Sequence, residues 1–246
     1  MSCIVIIPAR MAATRLPDKP LADIAGTPMI IRAWQSAIAA GTGAVAVAAG
    51  DAEIVAAVER HGGTAVLTDP ALPSGTDRIF AALDLLDPGG AHATVINLQG
   101  DLPLLDPVQL RIVKETLEAS GADIATLAAP ITEPADIDNP NVVKPVVAWT
   151  DDAPYGRALY FSRARAPFGD GPYYHHIGIY AFRREALARF VALPPSPLEK
   201  RERLEQLRAL EAGMHIVVAR VDEAPLSVDT PEDLEKVRAA ALARGM

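Results

Sequence analysis

Cysteine is almost missing from this chain. Cys3 is the single one among 246 residues, so neither an intrachain disulfide nor a zinc cluster built on cysteines is available, and a reducing compartment suits the composition. Positive charge is short as well: 23 Lys and Arg against 31 Asp and Glu leave a formal net charge of −8. That balance excludes a broad basic face of the kind that holds nucleic acid or anionic lipid, and confines any bound anion to a local pocket. Long apolar runs are lacking too. The opening MSCIVIIPAR has no charged residue ahead of its apolar stretch, and the stretch is too short for a signal segment or a membrane span. It reads as a buried strand of a cytoplasmic protein, with no membrane insertion. Internal repeats and low-complexity tracts are absent from the sequence.

What is present has the make-up of a self-sufficient globular domain, half apolar and 22% charged. Short apolar runs at Cys3–Ile7, Ala44–Ala49, Thr64–Leu67, Thr94–Leu98 and Ile124–Ala129 predict strands. Amphipathic stretches near Met29–Ala40, Ala52–Arg60, Thr76–Leu86 and Pro107–Ala119 predict helices between most of them. Strands apolar on both faces and separated by helices indicate an α/β fold with a mainly parallel, doubly wound sheet. Asp51 and Asp106-Pro107 supply helix-start chemistry, and Gly62-Gly63 a helix stop. Beyond about residue 130 the rhythm gives way to a segment rich in Pro and Asn. It leads into strand-like Val142–Trp149 and His176–Arg183, which predicts a smaller inserted lobe over approximately residues 131–200 of one 246-residue domain. Leu198–Ala212 reads as one helix whose charges form mainly a solvated face, followed by a strand at His215–Val221 and a helix at Pro231–Leu242 capped by Thr230.

Ligands of open parallel sheets bind at the carboxyl ends of the strands, so the loops there carry the functional argument. After the first strand, Arg10, Arg15 and Lys19 fall within ten residues of proline-punctuated chain. Forked guanidinium donors and a compact ammonium suit a polyphosphate; the alternative is a solvated basic loop. The fourth strand runs into Gln99-Gly100-Asp101, placing an acid at the same crevice, where a hard cation such as Mg²⁺ takes one or two carboxylates together with phosphate oxygens and water. Asp229 is the second candidate ligand, although Asp before Thr230-Pro231 is ordinary helix-start chemistry, which one short motif rarely outweighs. Ser74-Gly75-Thr76-Asp77-Arg78 opens a helix and offers either anion-binding amides or simple capping. His175 and His176, adjacent on a strand, point to opposite faces, which argues against a zinc site.

The combination IIPARMAATRLPDKPLADIAGTPMI, SGTDR, NLQGD, NPNVVKPV, ALYFSRARAP, HHIGIYAFRR, PSPLEKRERLEQLR and VDTPEDLEKVR resembles the Kdo (3-deoxy-manno-octulosonate) cytidylyltransferase family over almost the whole chain. The resemblance implies a nucleotidyltransferase domain of the nucleotide-diphospho-sugar transferase type, with a dimerisation lobe, forming a homodimer. It implies CTP and Kdo as substrates, Mg²⁺ as cofactor and a place in lipopolysaccharide synthesis. Arg10, Arg15 and Lys19 are then expected on the triphosphate and, with Asp101, in catalysis. Ser74, Arg78 and Gln99 are expected around the cytidine, Asp101 and Asp229 on the metal. Arg163 is expected on the sugar carboxylate, with Gln99, His176, Tyr180, Glu205 and Gln206 around the rest of the sugar acid. Two departures stand out: Leu102 where the family usually has an acid, and Ala49-Gly50 where Thr-Asp is common. A transferase for another acid sugar, either 8-amino-Kdo or sialate, is the alternative, although TRLPDKP lacks the glycines typical of the sialate loop. A regulatory nucleotide-binding protein is the other, against which the retention of Lys19, Asp101 and Asp229 together speaks.

Overall fold

The apolar N-terminal run forms strand β1 (Cys3–Ala9), and Val5, Ile6 and Ile7 within it are wholly buried. Residues 2–12, 16–150 and 152–246 are described by this computed structural model. In chain order the elements are β1, β2 (Asp23–Ile24), β3 (Thr27–Pro28), α1 (Met29–Ala40), β4 (Ala44–Ala49), α2 (Ala52–Arg60), β5 (Thr64–Leu67), α3 (Gly75–Leu86), β6 (Thr94–Asn97), α4 (Pro107–Ser120), β7 (Ile124–Pro130), α5 (Pro134–Ile137), β8 (Lys144–Ala148), β9 (Tyr155–Ser162), β10 (Tyr174–Arg183), α6 (Arg184–Val191), α7 (Pro197–Glu202), α8 (Gln206–Glu211), β11 (Ile216–Arg220) and α9 (Pro231–Ala243). They divide into two compact units, Met1–Arg111 with Pro225–Met246, and Ile112–Ala224.

In the first unit the strands run in the order β5-β4-β1-β6, all parallel, with Val5 opposite Val45 on one side and Ile96 on the other. The chain moves outward from β1 through β4 to β5 and then returns past β1 to lay down β6. The carboxyl ends of β1 and β6 therefore flank a topological switch point, where open α/β sheets bind ligands. The returning segment is held by α9, whose Leu234, Val237 and Ala241 pack in one core cluster with Ile24, Met29, Leu104 and Val228. A tight turn joins β2 to β3 through Ala25 and Gly26, both at positive φ (49° and 80°), and the buried Arg32 guanidinium donates to the carbonyls of Ile24 and Ala25 at 2.6 and 2.9 Å.

The second unit carries the strand order β10-β7-β11-β9-β8, in which β7 and β11 are parallel and the other pairs antiparallel. Its register shifts between Ile177 and Tyr180, where β10 bulges against β7.

The structure corrects the sequence reading in places. Leu198–Ala212 is two helices, α7 and α8, broken at Arg203 in the left-handed region (φ 56°). The break has a tertiary cause: the Arg163 side chain takes the carbonyls of Glu202 and Arg203, which a continuous helix would have used internally. Strand β9 and helix α6 had no counterpart in the sequence reading. The strand expected over Val142–Trp149 is the shorter β8.

Candidate active site

A cavity of about 430 Å³ opens in the first unit at the carboxyl ends of β1 and β6, lined among others by Arg10, Lys19, Ser74, Arg78, Gln99, Asp101 and Asp229. The structure thus brings together all but one of the residues expected around nucleotide and metal. The exception, Arg15, lies outside the described residues.

Lys19 stands in a one-turn helix over Lys19–Leu21. Its Nζ lies 2.8 Å from Asp101 Oδ2 and 3.3 Å from Asp229 Oδ1, so carboxylates from the middle and the last part of the chain converge on one largely buried ammonium from its first part. Backbone pairing reinforces this meeting, for the Val228 N–H donates to the Asp101 carbonyl at 3.1 Å. Gly100 allows it locally, because a Cβ there would stand 3.1 Å from Ile30 Cδ1 and 3.2 Å from the Pro8 carbonyl oxygen.

The ambiguity at Asp229 is resolved in geometry. Thr230 is the N-cap of α9, in a capping box with Asp233: the Asp233 N–H donates to Thr230 Oγ1 at 3.2 Å, and the Thr230 N–H to Asp233 Oδ2 at 3.1 Å. Asp229 is therefore not the cap, and its carboxylate turns to Lys19. At α3 the capping reading holds: Ser74 Oγ accepts the Asp77 N–H at 3.1 Å while lining the cavity with Gly75. Two carboxylates form a sparse oxygen donor set, suited to a hard cation that completes its shell with water and substrate oxygens. Among the described residues no group of three or more His, Cys, Asp or Glu is placed to hold a metal.

Arg78 is 2% exposed, and its Nη1 donates to Thr68 Oγ1 at 2.6 Å and to the Asp69 carbonyl at 3.2 Å. Burial first, and the neighbouring Arg10 second, pull its pKa down, with Asp51 and Asp69 opposing them. Asp51 begins α2 without capping it; its Oδ2 accepts the Met11 N–H at 2.7 Å, anchoring the chain just after Arg10. The sequence reading gave Asp51 only a capping role. Its place at the carboxyl end of β4, beside the crevice, was the available signal. Gln99 donates through Nε2 to Asn97 Oδ1 at 3.1 Å, which fixes its amide beside the cavity.

Arg163, His176, Tyr180, Glu205 and Gln206 all fall in the second unit. Arg163 donates through Nε to the Glu202 carbonyl (2.8 Å), through Nη1 to that of Pro140 (2.9 Å) and through Nη2 to that of Arg203 (3.3 Å), leaving two of its five N–H donors without a protein partner in these bonds. The His176 ring lies 4.9 Å from that of Phe161 and 5.5 Å from that of Tyr180. Its Nε2 is 3.0 Å from Thr126 Oγ1, whose one proton faces the carbonyls of Ile177 and Ile179, so His176 is the donor in that pair. Burial, with a smaller push from His175, lowers the His176 pKa to about 3 and keeps the imidazole neutral. The Tyr180 hydroxyl is pushed up by burial and then by the Glu205 charge, so it stays protonated. Gln206 is 6% exposed and its Nε2 is buried without a hydrogen-bond partner.

Comparison with known proteins follows the same lines. The family model described as cytidylyltransferase matches residues 4–216. The chain belongs to the cytidylyltransferase family. It is 62% identical over 243 residues to the 3-deoxy-manno-octulosonate cytidylyltransferase of Parvibaculum lavamentivorans, covering 99% of this chain and 94% of that one. It is 59% identical to the protein of the same name from Rhodospirillum centenum, covering 96% and 92%. Among solved structures, CMP:2-keto-3-deoxy-manno-octonic acid synthetase complexed with CTP superposes with a TM-score of 0.91 at 37% identity, over 100% of both chains. A nucleotidyl transferase from Methanothermobacter, at 14% identity and a TM-score of 0.66, shares the fold.

Within this cytidylyltransferase the two departures have physical correlates. Leu102 is 6% exposed, so a core residue stands where an acid is usual. At Gly50, an added Cβ would lie 3.0 Å from Arg78 Nη1 and 3.1 Å from Arg10 Cβ; the guanidinium occupies the space a side chain would need. The nearest acid is then Asp51, one residue later, on the Met11 N–H.

Proposed function

We propose that this nucleotidyltransferase joins CTP to the anomeric 2-hydroxyl of 3-deoxy-manno-octulosonate, giving CMP-Kdo and pyrophosphate and so activating the sugar acid for lipopolysaccharide synthesis. The observation that carries the reading is the convergence of Asp101 and Asp229 on Lys19 in a cavity at the switch point of the sheet. The names of the relatives at 62% and 59% identity supply the sugar acid.

Transfer of this kind is in-line attack on the α-phosphorus, and the protein acts on it mainly through position and charge. Arg10 and Lys19, with Arg15 assigned by the family motif alone, neutralise the triphosphate and the leaving pyrophosphate. The amides at the start of α3, Arg78 and Gln99 orient the nucleoside. Asp101 and Asp229 would hold Mg²⁺, which supplies Lewis acidity toward a phosphate oxygen and lowers the pKa of a nearby hydroxyl. Lys19 exchanges its carboxylate pairing for phosphate oxygens as nucleotide binds.

For the sugar acid, the two remaining Arg163 donors suit a carboxylate. Neutral His176, the protonated Tyr180 hydroxyl, the Glu205 carboxylate and the Gln206 Nε2 group suit hydroxyl groups. Fully exposed Phe168 and half-exposed Leu159 in the second unit support a homodimer, which light scattering tests. No helix among the described residues is long and apolar enough to cross a membrane, and we place the enzyme in the cytoplasm with its substrates. Phosphorus NMR of a reaction with CTP, Mg²⁺ and Kdo tests the chemistry: a new phosphodiester resonance together with pyrophosphate is expected, and free CMP without a sugar adduct overturns the proposal.

A further inference from the structure

One strongly polar group in the second unit has no part in the chemistry above. Lys144 is wholly buried, at 0% exposure, on strand β8. Its ammonium donates to three backbone carbonyls, those of Val142 at 2.6 Å, Asn139 at 2.9 Å and Arg163 at 2.9 Å, which uses all three of its protons. A buried cation satisfied wholly by carbonyls gains no counter-ion by direct contact, and burial accordingly pulls its pKa down. An aliphatic residue here would avoid that desolvation but strip three carbonyls of their donor, so the ammonium acts as a clamp on the segments that carry them.

The three carbonyls locate its role. Arg163 is gripped from its own backbone by Lys144, while its side chain extends to the carbonyls of Pro140, Glu202 and Arg203. Glu202 closes the ring, accepting the Arg163 N–H at 3.0 Å and the Ser162 hydroxyl at 2.9 Å. Val143, next to Lys144, accepts the His176 N–H at 2.8 Å. The left-handed turn at Arg203, which Arg163 holds, leads directly into Glu205 and Gln206. The ammonium itself joins the loop before β8 to the residue that follows β9, and from that junction the Val143 carbonyl reaches the strand bearing His176 and the Arg163 side chain reaches the kink between α7 and α8.

We propose that Lys144 is the positioning residue of the sugar-acid subsite in the second unit, fixing Arg163 so that its two remaining donors point at a carboxylate. The inference rests on the sugar-acid reading above. Without the ammonium, the Arg163 backbone and the 139–142 loop that supplies the Pro140 carbonyl lose their common anchor; the alignment that bidentate recognition needs would loosen, and affinity for the acid would fall while nucleotide binding, built in the first unit, would not.

The test is steady-state kinetics with CTP and Kdo varied separately, on wild type, Lys144→Met and Lys144→Gln, with thermal melting of each. Lys144→Met is expected to raise the KM for Kdo at least about 10-fold and to leave that for CTP within about 2-fold. Lys144→Gln, which retains two N–H donors, is expected to fall between Met and wild type. A folded Lys144→Met with both KM values unchanged, or raised in equal proportion, overturns the inference. Where Lys144→Met does not fold, Glu202→Gln is read instead: a selective rise in the Kdo KM upholds the inference, and wild-type values overturn it. Wild-type turnover comes first, because its absence with Kdo overturns the functional reading itself, whereas its presence with unshifted variants overturns only the role of Lys144.

Discussion

At the scale of the residue, the site depends on a few charges whose partners define what they do. Asp101 lies 2.8 Å from Lys19 and faces the cavity, so replacing it by Asn keeps the shape and removes the charge. Asp101→Asn is expected to lower kcat/KM by at least about 100-fold, the scale seen when a main electrostatic contributor is lost. Initial rates with near-normal turnover would contradict its role. Arg163 is bound on one side to three carbonyls, and Lys cannot reproduce that fork. Both Arg163→Ala and Arg163→Lys are therefore expected to raise the KM for the sugar acid while leaving that for CTP nearly unchanged; equal effects on both substrates would show the residue to be misplaced. In the sequence the candidacy of Asp101 is visible from its place after a strand, and that of Arg163 only through motif resemblance. Local spacing favours helix-start chemistry for Asp229, whereas its actual partner depends on Thr230 and Asp233 taking the cap and on Lys19 arriving from 210 positions away.

At the scale of the element, helix starts are set by side chains close in sequence, and there the sequence is most informative. Helices α1 and α2 and strands β4 and β5 have the bounds that apolar periodicity and flanking turn residues predict. Thr230→Ala removes the acceptor for the Asp233 N–H and is expected to cost about 1 kcal/mol in stability by urea unfolding. Its activity should also fall, because α9 carries Asp229 into the cavity on its leading end; a stable variant with a lowered rate would separate the two effects. Where an element is decided by distant partners, sequence fails. The helix pattern over Leu198–Ala212 is strong, but Arg163, some 40 residues earlier, captures the carbonyls at its middle. Likewise the eight residues of β9 are too short a window for period alone, and α6 follows β10 with no breaker between them.

At the scale of the whole molecule, fold class was legible early: alternation of buried strands and amphipathic helices gives a parallel sheet, and such a sheet binds at its switch point. Global stability should carry the signature of His176. Its folded pKa of about 3 lies below the ordinary 6.5, so between these values the unfolded chain binds the extra proton and stability falls as pH is lowered. Above about pH 6.5 this contribution is complete. Between pH 7 and pH 5 wild type is expected to lose about 2 kcal/mol more than His176→Gln does in urea unfolding. Parallel pH dependences for the two proteins would contradict the buried neutral imidazole.

The central claim is the pairing of CTP with one acid sugar, and initial-rate pyrophosphate release measures it most directly. CTP and Mg²⁺ are supplied with Kdo, 8-amino-Kdo or sialate in separate reactions. Release with Kdo, faster than with either of the others, is the predicted result. Faster release with another acid, or none with any of the three while CTP still binds, would contradict it.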